Sequence, residues 1–327
     1  MNTNVPLNLD IKNPKVTLEQ TTVYRNGLQQ ARIRIDLEST HGGVPSDLTP
    51  SEIHGIRLFD YHNRASGLIP LSDGSLNYKG WSAQRVFLGY VPQPSTTLAP
   101  RAIQSYFLYL SANAGAVEAL DIAFQITGDD GSIFWTNGRK SVGGTEQPWP
   151  NGDNSVGITL TPLPPVKYPS NAFVLDRRPL ATDRHPIHLK DVAPGIFTDM
   201  VTVSIVLADG TTLGIRKMKC EPAGLIHWKG PQPSSNPCFT GYVRPSETAI
   251  RWHADIEKHW GEVPPPAALA APQDERGVVI LVGRLDIPSW AGAPKEAVKV
   301  VMTDAHGSDQ TCSISFKDGT RDELTVT

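Results

Sequence analysis

A chain of 327 residues exceeds the usual span of one hydrophobic core, so two or three domains are expected, each able to fold without disulfide staples. The formal charge is -3 with nine histidines, and no Lys/Arg cluster interleaves with aromatic residues, which excludes a nucleic-acid groove. No apolar run reaches the ~20 residues of a membrane helix, and the first residues lack a basic stretch followed by an apolar one, so cytoplasmic synthesis without membrane insertion is expected. The site of action stays open and includes an assembled or released particle, a class that the 28 Gly and 28 Pro resemble in composition.

Residues 1–15 are polar and carry Pro6 and Pro14, which reads as an extended N-terminal arm or an edge strand. Thr21 to Leu37 then holds two alternating runs around Asn26-Gly27. That dipeptide suits a type I′ turn, so a hairpin is expected with Ala31, Ile33, Ile35 and Leu37 facing a core and Arg32, Arg34 and Asp36 facing water. Thr49-Pro50-Ser51-Glu52 carries a capping Thr, a Pro suited to the first helical position and a Glu three residues after the cap, and Gly55 limits this helix to about one turn.

Strands are expected over Ile56–Tyr61, over Arg85–Val91 with Trp81 just before it, over Ala102–Ser111 and over Val117–Thr127. Turns fall at Ser72–Ser75 and Asp129–Ser132, the second leading into Ile133-Phe134-Trp135. Thr145 to Ser170 holds six prolines, which marks an exposed loop, an edge strand and a connector, with the domain boundary near residue 166.

The second half opens with irregular sequence through Arg177, Arg178, His185 and His188, then gives a hairpin from Met200–Leu207 and Thr211–Lys219 around Asp209-Gly210. Glu221 to Pro245 reads as a Pro-rich loop. Ala249 to Trp260 reads as a regular strand, with Ile250, Trp252, Ala254 and Ile256 on one face and Arg251, His253, Asp255, Glu257 and His259 on the other. A stiff Pro264–Pro266 connector follows, and strands at Val278–Leu285, Ala297–Thr303, Thr311–Phe316 and Glu323–Val326 finish the chain. The expected fold class is all-β, with two or more antiparallel β-sandwich domains of immunoglobulin-like or jelly-roll-like type joined by Pro-rich segments: an arm over 1–15, one domain over 16–165 and a second over 166–327.

Few residues suggest chemistry. His253, Asp255, Glu257 and His259 alternate on the expected strand, roughly 6 to 7 Å apart, a spacing that lets two of them converge on a metal ion; a solvated strand face is the competing reading. Trp81, Trp149, Trp228 and Trp290 are candidates for a binding site on sandwich loops, and Trp149 lies in a stiff Pro-Trp-Pro. For Trp81 the favoured reading is a core plug, while Trp149 reads equally as a loop plug. Asp129-Asp130-Gly131 and Asn151–Asn154 have oxygen ligands for calcium but not the spacing of a calcium loop. His306-Gly307-Ser308-Asp309 has the letters of a nucleophilic triad yet reads as a turn, and Cys220, Cys238 and Cys312 read as reduced, partly buried thiols, with a Cys220–Cys238 disulfide as the alternative.

No catalytic motif or cofactor fingerprint is present in the sequence, so no cofactor is expected. The leading expectation is a non-catalytic structural or interaction protein that contacts copies of itself or other protein subunits in a larger assembly, such as a phage particle, tail-like device or surface structure. The alternative is a carbohydrate- or receptor-binding module that takes glycans, and the third reading is a metal-dependent enzyme built on the 253–259 strand.

Overall fold

The structure, a computed structural model, describes residues 8–63, 67–72, 75–90, 104–149, 157–179, 197–224, 226–227, 238–258, 266–272, 276–283, 296–318, 320 and 323–327. The chain is all-β and divides into two compact units, Met1–Val166 and Lys167–Thr327.

In the first unit the elements are β1 (Leu9–Leu18), β2 (Thr22–Tyr24), β3 (Gln30–His41), β4 (Val44–Pro45), α1 (Pro50–Gly55), β5 (Arg57–Asp60), β6 (Trp81–Gln84), β7 (Gln104–Ala112), β8 (Leu120–Thr127), β9 (Ile133–Trp135), β10 (Arg139–Val142), β11 (Thr145–Pro148) and β12 (Ile158–Leu163). One sheet runs β1-β3-β7-β6 with β4 on β3; the other runs β11-β10-β9-β8-β12-β2 with β5 on β8. Ala31, Ile33, Ile35 and Leu37 of the first sheet share one core with Leu120, Ile122, Phe124, Ile126 and Leu160 of the second, so the two sheets form a sandwich.

One expectation for this unit needs correction. Asn26-Gly27 does not close a hairpin: β2 lies in one sheet, parallel to β12, while β3 lies in the other between β1 and β7. Only Gly27 has a positive φ, +73°, and the Asn26 side chain instead accepts from the N–H groups of Leu28 and Gln29, which turns the chain across the sandwich. The type I′ requirement, positive φ at both central residues, is met at Lys79 (φ 50°) and Gly80 (φ 85°), where Tyr78 and Trp81 exchange backbone hydrogen bonds. Of the two readings of residues 1–15, the edge strand is the one formed from Leu9 onward. Leu9, Ile11 and Val16 are buried, and a bulge between Lys12 and Lys15 absorbs Pro14 at the edge, where its missing N–H costs little.

The second unit holds β13 (Phe173–Pro179), β14 (Phe197–Val206), β15 (Thr212–Leu213), β16 (Ile215–Glu221), β17 (Ile226–His227), β18 (Cys238–Val243), α2 (Ala254–Glu257), β19 (Gly277–Gly283), β20 (Val298–Asp304), β21 (Asp309–Phe316) and β22 (Leu324–Val326). A six-stranded sheet, β13-β14-β19-β18-β17 with β15 on β14, packs on a four-stranded one, β16-β20-β21-β22, through Val201, Val203, Leu281, Met218, Val300 and Ile314. The other face of the six-stranded sheet is covered too. Phe239, Val243, Val278, Ile280 and Val282 pack there against Ile250, Trp252, Ile256 and Leu269. Both faces of β18 and β19 are therefore dry, which is why every residue of these strands is buried and why neither sequence alternates.

Here the structure corrects four readings. Arg177 and Arg178 belong to β13, which pairs with β14 over its whole length; β18 lies inside the expected Glu221–Pro245 loop; and the Asp209-Gly210 hairpin holds for only two residue pairs before the chain passes into β16 of the other sheet. The fourth is Ala249–Trp260. Among the described residues it pairs only through single bridges, Ala249 to Ala268 and Arg251 to Tyr242, and at His253 it turns into α2. Trp252 and Ile256, four residues apart, meet the core in a helix as well as in a strand; Ala254, exposed, separates the two readings.

Candidate functional site

In the first unit, β5 ends at Asp60 and the chain turns there, with the Tyr61 N–H bonded to the Asp121 carbonyl of β8. The Lys79-Gly80 turn reaches the same place; a Cβ on Gly80 would lie 2.1 Å from the Ala116 nitrogen, so only glycine lets the turn seat against residues 115–116. Between these pieces lies a cleft of about 500 Å³, with Asp60, His62, Lys79, Glu118 and Asp121 around Trp81, Val117 and Leu120.

Asp60 is 5% exposed and accepts from the Tyr78 hydroxyl (2.8 Å), the Lys79 ammonium (3.2 Å) and the His62 N–H (3.1 Å). Burial pushes its pKa up, but these donors outweigh burial and leave it below the usual 3.8. Lys79 is held above its ordinary value by the Tyr78 hydroxyl and Asp60, so it stays an ammonium and not an amine nucleophile. Asp121 is lowered by the Thr159 hydroxyl and by His62, whose Nε2 is 2.7 Å from its carboxylate. The lining carries charged acceptors and a fixed ammonium but no hydroxyl or thiol. Such a set can exchange hydrogen bonds with a polar ligand.

A second feature of this unit is apolar. Val86, Phe87 and Leu88 are 69%, 45% and 43% exposed, in a row. They are held in place: the buried Gln30 side chain donates to Gln84 Oε1 and the Val86 carbonyl and accepts from the Leu88 N–H, while Phe87 packs on Tyr109 with ring centroids 5.5 Å apart. Beside this ridge, Arg32 lies 4.0 Å over the Phe107 ring and pairs with Glu19.

Among the described residues, those singled out from the sequence do not converge on one site. Trp81 is 1% exposed and belongs to β6, not to a stretch before a strand at 85–91. Trp149 is 4% exposed, folded onto Phe134 at 5.2 Å, with its indole N–H unbonded among the described residues. Both rings fill core. Trp228, Trp290 and His259 lie outside the described residues, as do His185, His188 and Asn151–Asn154. His253 caps α2 by accepting from the Asp255 N–H, Asp255 pairs with Lys258 at 3.3 Å, and Glu257 is exposed on the same turn; the strand spacing expected for a metal pair is replaced by helical geometry. Among the described residues no cluster of three His, Cys, Asp or Glu is placed to hold a metal.

Asp129 instead accepts from the Thr49 and Ser51 hydroxyls at the start of α1, and Asp130 from the N–H and hydroxyl of Ser132. His306-Gly307-Ser308 forms the β20–β21 turn, closed by Gly307 (φ 82°) and the Asp304 carboxylate. None of the three buried cysteines is in a disulfide; burial raises the Cys220 thiol, and raises Cys312 to about 11, so both stay protonated.

No protein-family model and no curated protein matches the chain. A solved structure to which it is similar in a comparison of folds is the collagen binding domain of Erysipelothrix rhusiopathiae surface protein RspB, at 9% identity and a TM-score of 0.15, over 98% of this chain and 94% of that one. A score at that level does not establish a shared fold, and the architecture rests on the sheets and cores described above.

Proposed function

We propose that this chain is a non-catalytic interaction protein, which associates with further copies of itself through the Val86-Phe87-Leu88 ridge as a subunit of a larger assembly such as a phage particle, tail-like device or surface structure. The observation that carries this reading is a row of three exposed apolar side chains whose backbone is clamped by a buried glutamine. Large exposed apolar patches mark contact surfaces, and a pre-ordered one loses little entropy on binding. Of the nine strongly exposed large apolar residues among those described, all but Val174 lie in the first unit, so the contact is assigned there. A formal charge of -3 over 327 residues raises little repulsion between copies. Val86→Asp and Phe87→Asp, at exposed positions, leave the fold intact and abolish association measured by sedimentation; association unchanged in the double variant removes the ridge from the account.

The Asp60–Asp121 cleft supports a second reading, a module for a neutral hydroxyl-rich ligand such as an oligosaccharide. Its acceptors and single ammonium match the mixed donor and acceptor character of sugar hydroxyls. Trp81 lines the cleft, so tryptophan emission shifts on titration with the right glycan and no longer does in Glu118→Ala/Asp121→Ala. A flat response across a broad glycan panel excludes this use.

A further inference from the structure

The second unit carries a charged groove that the proposed function does not use. β16 is the edge of the four-stranded sheet and pairs on one side only, with β20; among the described residues no strand pairs with its other edge. Ile215, Met218 and Cys220 point into the core. A bulge between Ile215 and Lys217 leaves Arg216 and Lys217 both exposed, and Lys219 follows on the outer face. The turn after β18 supplies the opposite wall with Arg244 and Glu247, enclosing about 530 Å³.

Four cations line this groove against two carboxylates, Glu247 and Asp309, both engaged; Glu221, next on the same face of β16, is a third carboxylate and pairs with Lys219, an exposed ion pair of the kind that contributes little and that an incoming carboxylate can replace. Glu247 is shared between Arg251 at 2.6 Å and Arg244 at 3.7 Å, and Asp309 accepts from Thr303 at 2.8 Å. The local sign is thus positive in a chain whose total is -3.

We propose that this groove binds an extended acidic segment of a partner polypeptide, laid along β16 with carboxylates at alternate positions. The spacing supports this. Lys217 and Lys219 are two residues apart on one strand face, roughly 6 to 7 Å, the spacing of alternate side chains in an extended peptide. The open edge offers main-chain hydrogen bonds to an added strand. A polyanion with a charge on every unit suits the groove less well, because Glu247 and Asp309 would face some of those charges. Lysines on an edge strand also discourage pairing with a strand of neutral or basic sequence; an acidic strand turns that repulsion into attraction.

The test uses the whole chain on an array of random octapeptides, then fluorescence anisotropy with the best binder, a heparin oligosaccharide as competitor, and Lys217→Glu/Lys219→Glu, whose exposed positions leave the thermal midpoint unchanged. Asp and Glu are enriched at alternate positions of the bound peptides, the double variant weakens binding at least tenfold, and a peptide with its acids replaced by Lys regains binding to that variant. The proposal is overturned by no acidic enrichment, by binding that the double variant leaves unchanged, or by heparin binding in preference to the peptide. None of these outcomes depends on the ridge of the first unit.

Discussion

Asp60 is nearly buried, yet it is ionised because a phenol, an ammonium and a backbone N–H all point at it. Its folded pKa is below the unfolded value, so its stabilising effect is present above pH ~4 and fades as pH falls through the folded pKa. Asp60→Asn therefore lowers stability at pH 7 by about 1–3 kcal/mol, the cost of weakening a buried charged hydrogen-bond set, and the gap to wild type closes below pH ~4 in denaturant titrations. A gap that is constant with pH would mean that Asp60 is not ionised in the fold. This site was hard to see in the sequence, because Asp60, His62, Lys79 and Asp121 come together only through the β5–β8 pairing and the turn at 79–80. One signal was available: Asp121 is a lone carboxylate in the otherwise apolar run Leu120–Phe124, which marks the side of β8 that opens to water. Trp81 and Trp149 follow the plug reading, and the size of the ring alone does not tell a plug from a platform.

Elements were legible where one local rule decided them. The helix start at Thr49-Pro50 forms the expected capping box, with Glu52 reaching back to the Thr49 N–H, and the long strands β3, β7 and β8 fall close to the expected runs. Misreadings came where tertiary pairing decides. Asn26-Gly27 supports any tight turn, and whether the chain returns to the same sheet depends on which strand is already paired with β3. β18, CFTGYV, was hidden by the Gly and Pro around it and by burial on both faces, which removes alternation. Its Gly241 has a packing cause: a Cβ there would lie 2.6 Å from the Trp252 ring. Gly241→Ala accordingly costs about 1–3 kcal/mol by overpacking and lowers the thermal midpoint. Gly241→Ala combined with Trp252→Leu is less destabilised than the two single effects added, because both act on one contact. Strict additivity would show that the glycine is there for another reason.

Across the whole molecule, two units each enclose their own cores, and the clusters around Ile122 and around Val300 share no residue. A fragment of residues 1–166 is expected to unfold in one cooperative thermal transition, monitored by circular dichroism, with the β-sheet signal of a folded sandwich. A fragment without a transition would make the first unit dependent on the second. The all-β class followed from turn spacing and short strands, whereas the partner surfaces did not, because exposed apolar and basic residues acquire meaning only once the sheets show which of them stand together. The measurement that tests the central claim most directly is sedimentation velocity of the full chain over a concentration series, beside Val86→Asp/Phe87→Asp. Wild type that shifts from the 35.5 kDa monomer to larger species as concentration rises, with the double variant staying monomeric, is the predicted result. Wild type that remains a monomer throughout would contradict association through copies of this chain.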